Sequence, residues 1–228
     1  MSAIRENLKE VNSNIKAELE VCNRASDSTK LIAVTKTYGV DVINEAIDCG
    51  VTDIGENRVQ EIMEKYDFVK PVRWHLIGHL QKNKVKYIID KVCLIQSVDR
   101  MNLAEEINRQ ARKHGVVMPV LIQVSPAGEE QKGGMAPEEV LPFLREVSRM
   151  DGIDVRGLMA IMPRTDDEAY LSGLFAGMRT LFERLRDEAV DGVTMQELSM
   201  GMSGDYLLAA RHGATMVRVG SALFGPRT

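Results

Sequence analysis

Lys36 closes the run Leu31-Ile32-Ala33-Val34-Thr35, and Thr37, Tyr38 and Gly39 follow it at once. Four apolar or small residues are too few for a helix and suit a strand buried on both faces. Lys36 then falls at the strand's C-terminal end, where open α/β folds and α/β barrels place their chemistry. A lysine whose stem lies against apolar neighbours loses ammonium hydration, which lowers its pKa, and only the neutral amine attacks an aldehyde. Lys36 is therefore a candidate Schiff-base amine. The bland alternative is a lysine that reaches solvent at a strand end.

A second constellation lies near the C-terminus. Ser199-Met200-Gly201-Met202-Ser203-Gly204-Asp205 joins a strand to a helix, and Arg218-Val219-Gly220-Ser221 ends the next strand. The glycines let backbone amides approach a ligand, Ser203 can cap the following helix, and a helix N-terminus favours a phosphate. Arg218 adds a guanidinium and Ser221 a hydroxyl. Each half has an ordinary reading, an N-cap or a surface ion pair, but adjacent strand ends are where barrels often hold a phosphate. Asp205 is expected to face outward, toward the helix dipole. An amine for an aldehyde and a pocket for a phosphate describe pyridoxal 5'-phosphate. A phosphorylated sugar, held as in Schiff-base aldolases, uses the same two elements.

These residues need a frame. Ile4, Leu8, Val11, Ile15 and Leu19 predict an amphipathic helix over 4–24. Strands are expected over 31–35, 53–55, 73–76, 92–96, 120–124, 155–159, 196–199 and 216–219. Helices are expected over 40–49, 59–66, 81–90, 101–114, 137–150, 166–188 and 203–212. Eight short strands alternating with helices imply parallel pairing through crossovers, and thus an α/β fold: a single (β/α)8 barrel over 1–228 with an extra N-terminal helix. That helix is expected where an eighth outer helix would otherwise sit. An open doubly wound sheet is the alternative.

The 228 residues carry a net charge of −4 and are 44% hydrophobic, which argues against a nucleic-acid-binding domain. No apolar run approaches a membrane span and the charged N-terminus is not a signal peptide, so a cytoplasmic location is expected. Cys22, Cys49 and Cys93 form no CxxC pair and fit reduced thiols; no carboxylate–histidine cluster suggests a metal. The basic run 81–86 reads as a solvated face. Trp74 is a possible optical reporter, and His114 and His212 suit helix C-termini as cations.

Six stretches, in order, carry a family resemblance: Ala33-Val34-Thr35-Lys36, Gly55-Glu56-Asn57-Arg58-Val59-Gln60, the run 74–84 from Trp74 to Lys84, Gly157-Leu158-Met159-Ala160, Leu198-Ser199-Met200-Gly201-Met202-Ser203, and Val217-Arg218-Val219-Gly220-Ser221 with Phe224-Gly225. On them the chain resembles the YggS/PROSC family, the pyridoxal phosphate homeostasis proteins. The resemblance implies a fold-type III barrel like the N-terminal domain of alanine racemase. It implies pyridoxal 5'-phosphate held as an internal aldimine on Lys36. Ser203, Gly204, Arg218, Gly220 and Ser221 would hold the phosphate, Ser199 would belong to the same cofactor-binding set, and Asn57, His79 and Met159 would line the surroundings. The implied role is binding the cofactor and supplying it to apo-enzymes, without established turnover; nothing in the sequence compels a dimer, and a monomer is expected. The loop 125–134 matches the family's pattern only loosely, and Met162-Pro163 sits where relatives commonly carry a second proline. A racemase-like enzyme is the alternative. It would need a second base, for which His79, Tyr38 and Tyr206 are candidates, and in alanine racemase that base comes from a second domain that this chain is not expected to contain.

Overall fold

The computed structural model describes residues 2–128 and 133–225. Eight parallel strands close into a barrel in sequence order: β1 (Lys30–Val34), β2 (Asp53–Glu56), β3 (Arg73–Leu76), β4 (Leu94–Val98), β5 (Met118–Val124), β6 (Ile153–Ala160), β7 (Val193–Met202) and β8 (Met216–Val219). The ring closes where β1 pairs with β8, with Ile32 opposite Arg218. Period-two alternation divides the core. Outward residues such as Ala33, Ile54 and Val217 pack under the helices, while Ile32, Leu94, Leu121, Met159 and Met216 form a separate cluster inside the barrel.

The outer layer consists of α1 (Ala3–Val21), α2 (Val40–Asp48), α3 (Val59–Lys65), α4 (Met101–His114), α5 (Val140–Val147), α6 (Glu168–Asp187), α7 (Tyr206–Arg211) and the single turn α8 (Ser221–Phe224). Helix α1 buries Leu8, Val11, Ile15 and Leu19 and packs against α2, α7 and α8. It therefore fills the place that the short α8 leaves in the outer ring, as expected.

Several boundaries differ from the sequence expectation. The segment 81–90 is a 3-10 helix over Lys82–Tyr87 that buries Val85, and the fully buried Ile88 and Ile89 lie in the turn beyond it. Strand β4 begins at Leu94 instead of 92, since the Val92 amide is used to close the preceding turn on Ile88 O. Strand β7 runs on to Met202 and α7 starts at Tyr206, so Ser203 does not begin a helix. Pro137 opens a 3-10 turn ahead of α5, and α8 was not expected.

Candidate functional site at the barrel mouth

Alternation along β1 determines where Lys36 goes. Ile32 faces inward, Ala33 outward, and Thr35 again outward, where its hydroxyl donates to Glu56 Oε1 at 2.8 Å. The half-buried Lys36 follows on the side of the mouth. Thr37 then takes a φ of 71°, a left-handed conformation that is unfavourable for a β-branched residue. Behind this turn lies an ionic cluster. Lys65 Nζ, on α3, donates to Thr35 O at 3.2 Å, to Glu56 Oε1 at 2.8 Å and to Glu61 Oε2 at 2.8 Å. Glu61 Oε2 in turn accepts the Thr37 amide at 2.8 Å. Glu56 is fully buried and its Oε2 makes no hydrogen bond; burial pushes its pKa up, against the pull of Lys65.

On the opposite side of the mouth, Ser203 Oγ accepts from Gly220 N at 3.0 Å and Ala222 N at 3.4 Å. Ser203 thus ties the β7–α7 loop to the start of α8 instead of capping its own helix. Gly201, at φ 91°, makes this turn possible, since a Cβ there would lie 2.4 Å from the Ala209 Cβ. Gly204 and Ser221 are exposed beside it. Asp205 does not face outward as expected. It is half-buried and accepts the Met202 amide, and burial pushes its pKa up.

Arg218 projects inward from β8 and is 3% exposed. Its Nη1 donates to Ser199 Oγ at 2.6 Å and its Nη2 to Ala160 O at 2.7 Å, both neutral acceptors. Among the described residues no carboxylate forms an ion pair with it, and burial lowers its pKa to about 10. The polar chain continues down the barrel. Ser199 Oγ donates to Gln96 Oε1 at 2.7 Å, Gln96 Nε2 lies 3.2 Å from His75 Nδ1, and His75 Nε2 lies 2.8 Å from Asp53 Oδ1. Sequence reading did not single out Gln96, His75 or Asp53 as a group. The available signal was their inward register on successive barrel strands, together with Ser199 and Arg218.

The remaining expected site residues divide. Asn57 is half-buried and packs on Gly78 so closely that a Cβ at Gly78 would lie 2.3 Å from Asn57 O. Met159 is fully buried in the inner cluster, below the mouth. His79 stands at the rim, with a side chain 62% exposed, 3.9 Å from Asp99 Oδ2. A groove of about 810 Å³ runs along this rim, lined by Tyr38, Asn57, His79, Gln81 and Lys84 among others, but neither Lys36 nor Arg218 lines it. The groove is therefore a neighbour of the mouth and not its floor. Tyr38 packs its ring at a tilt of 34° against Phe224 and donates to Gly225 O, while Tyr206 is buried and accepts from Asn14 on α1.

Several secondary expectations resolve here. Trp74 faces outward against Tyr66 and not toward the mouth. His212 is no dipole cation: it pairs with Ser172 Oγ, stacks on Phe175, and burial lowers its pKa. The three cysteines are free, and no group of metal-ligating side chains occurs among the described residues. No helix of the described residues is long and apolar enough to cross a membrane. Residues 129–132 of the loop 125–134 lie outside the described residues.

Comparison with known proteins places this geometry. Residues 3–228 match the family model "Alanine racemase, N-terminal domain". The chain is 42% identical to a pyridoxal phosphate homeostasis protein of Aquifex aeolicus over 97% of each chain, and 37% identical to one of Pasteurella multocida over 98% of this chain and 97% of the other. It is also similar to the structure of PipY of Synechococcus elongatus with pyridoxal phosphate bound, at 34% identity and a TM-score of 0.85, covering 97% of this chain and all of that one. On full-length similarity and a shared closed barrel, the chain belongs to the pyridoxal phosphate homeostasis family, built on the alanine racemase N-terminal domain.

Proposed function

We propose that the barrel mouth binds pyridoxal 5'-phosphate, with Lys36 as the amine that holds its aldehyde, and that the protein serves as an intracellular binder and supplier of this cofactor. The observation that carries the reading is Arg218. A fully buried guanidinium that hydrogen-bonds only to neutral oxygens, with Asp205 acting on it through space but forming no ion pair, next to two loops laced together by Ser203, suits an anion at the mouth. The residues fit the group. Ser203, Gly204, Gly220 and Ser221 offer hydroxyls and close backbone for a phosphate, and Arg218 offers charge. Asn57 flanks the ring space, and Met159 and Ser199 lie beneath it.

When bound, pyridoxal phosphate supplies an aldehyde and an electron-withdrawing ring. The chain's own residues do the rest. The turn after β1 presents the Lys36 amine toward the mouth, and the bonds to Ser199 Oγ and Ala160 O hold the Arg218 guanidinium in place inside the barrel. His79 remains at the rim as a hydrated group.

A racemase-like enzyme is the second reading, and the placement of its candidate bases weighs against it. Tyr206, at the start of α7, is buried against Asn14 of α1, Tyr38 is tied to Phe224 and Gly225, and His79 is largely in solvent. Supply to apo-enzymes, a monomeric state and a cytoplasmic location belong to this proposal as well.

The test is a visible absorption spectrum of wild type and Lys36→Ala with added pyridoxal phosphate, followed by borohydride reduction and peptide mapping. A long-wavelength band that is absent in the variant, with the reduced label on Lys36, is the expected result. A wild-type protein without such a band would return the phosphate pocket to the sugar-phosphate reading.

A further inference from the structure

We infer that Lys65 is a positioning residue for Lys36, acting through the ionic cluster with Glu56 and Glu61; the inference rests on the cofactor reading above. The cluster's bonds fall on the peptide groups that flank Lys36. Lys65 Nζ takes the carbonyl of Thr35, the residue before it. Glu61 takes the amide of Thr37, the residue after it. Glu56 takes the Thr35 hydroxyl. One ammonium on α3 thus bears on both ends of the peptide segment that carries the reactive amine, from the outer side of β1 beside the rim groove that Lys65 and Glu61 line.

Two further observations support the cluster's role. Thr37 is a β-branched residue at φ 71°, an unfavourable conformation closed locally by the Tyr38 amide on Thr35 O at 3.1 Å and fixed from α3 by the Glu61 bond. Glu56 is completely buried with one oxygen unbonded, so Lys65 and Thr35 are what hold its charge in place. Without Lys65, Glu56 takes up a proton or draws in water. The Thr35 carbonyl loses one of its two donors and keeps only the Tyr38 amide at 3.1 Å, and Thr37 is freer to relax toward an ordinary conformation that carries Lys36 away from its aim.

A positioning role and a merely structural one separate with a paired ligand. 4-Deoxypyridoxine 5'-phosphate has the ring and phosphate of pyridoxal phosphate but no aldehyde, so it reports the pocket without Lys36. For Lys65→Met, the Kd for pyridoxal phosphate is expected to rise about tenfold, equivalent to about 1.4 kcal/mol. The Kd for the deoxy analogue stays within about twofold by the same scale. Borohydride labelling at Lys36 falls in parallel. Equal weakening of both ligands, or no weakening of either, overturns the inference. If Lys65→Met does not fold, Glu61→Ala removes the Thr37 contact from a partly exposed position and must give the same split. A wild-type protein that binds the analogue but is never labelled at Lys36 sinks the cofactor reading itself, and with it this role.

Discussion

Ser199 shows how much a single hydroxyl can carry inside this barrel. It accepts from Arg218 and donates to Gln96, and all three side chains are buried. Ser199→Ala leaves a buried guanidinium one acceptor short and Gln96 without its donor. A bond to a charged group is worth about 1.5–3 kcal/mol, and an orphaned buried acceptor adds to the loss. The expected cost is about 2 kcal/mol in urea unfolding, with weaker pyridoxal phosphate binding because Arg218 is no longer held. An unchanged midpoint would mean that water replaces the hydroxyl without loss.

The β7–α7 loop makes the corresponding case for an element. Two glycines around it, Gly201 near the end of β7 and Gly204 in the loop, look alike in sequence and differ in the fold. Gly201 sits at φ 91° with a Cβ position 2.4 Å from Ala209, whereas a Cβ at Gly204 meets nothing within 4 Å. Gly201→Ala must push the loop off α7 and is expected to cost about 1–3 kcal/mol, as overpacking does. It should also loosen the Ser203 tie to Gly220. Gly204→Ala is expected to stay within about 0.5 kcal/mol of wild type in stability. If the Gly204 backbone approaches the phosphate as proposed, the same variant nonetheless weakens pyridoxal phosphate binding. Urea unfolding beside a cofactor titration separates the two effects, and a Gly204→Ala protein with wild-type affinity would remove Gly204 from the phosphate cup.

Across the whole barrel, the Asp53–His75 pair makes stability depend on pH. Burial opposes the charge on Asp53, but its hydrogen bonds to His75 and Thr52 outweigh this and lower its pKa. Burial likewise opposes a charged His75, and the bonds to Asp53 and Cys93 outweigh it and raise its pKa. The lowered Asp53 contributes stability above its unfolded pKa of about 3.9, lost as pH falls through its folded value. The raised His75 contributes stability below its unfolded pKa of about 6.5, lost as pH rises through its folded value. The stability gap between wild type and Asp53→Asn should therefore be widest near about pH 5–6, on the order of 3 kcal/mol. It should narrow toward both pH 3 and pH 9, as measured by urea unfolding across that range. A gap independent of pH would mean that the pair is held neutral.

Much of this protein is legible along the chain. Eight short apolar runs alternating with helices already specify a parallel α/β sheet, and the position of Lys36 just past the first of them specifies a place at the C-terminal ends of the strands; closure into a barrel instead of an open doubly wound sheet was decided by the pairing of β1 with β8. Glycine and proline punctuation located the loops after β7 and β8. The tertiary structure alone decided which side chains meet. Lys65 reads as an ordinary helix lysine, and only the crossing of α3 behind β1 and β2 brings it to Glu56 and to the peptides around Lys36. Ser203 reads as a cap for its own helix, and only barrel closure brings it to the amides of Gly220 and Ala222 instead. Asp53, His75, Gln96, Ser199 and Arg218 are spread over 166 positions of sequence, from 53 to 218, and become one chain of contacts because each faces inward on a closed ring. Local patterning encodes elements and their faces, because those depend on neighbours in sequence. The contacts that aim the amine and hold the buried charge depend on neighbours in space, and these exist only once the barrel has closed.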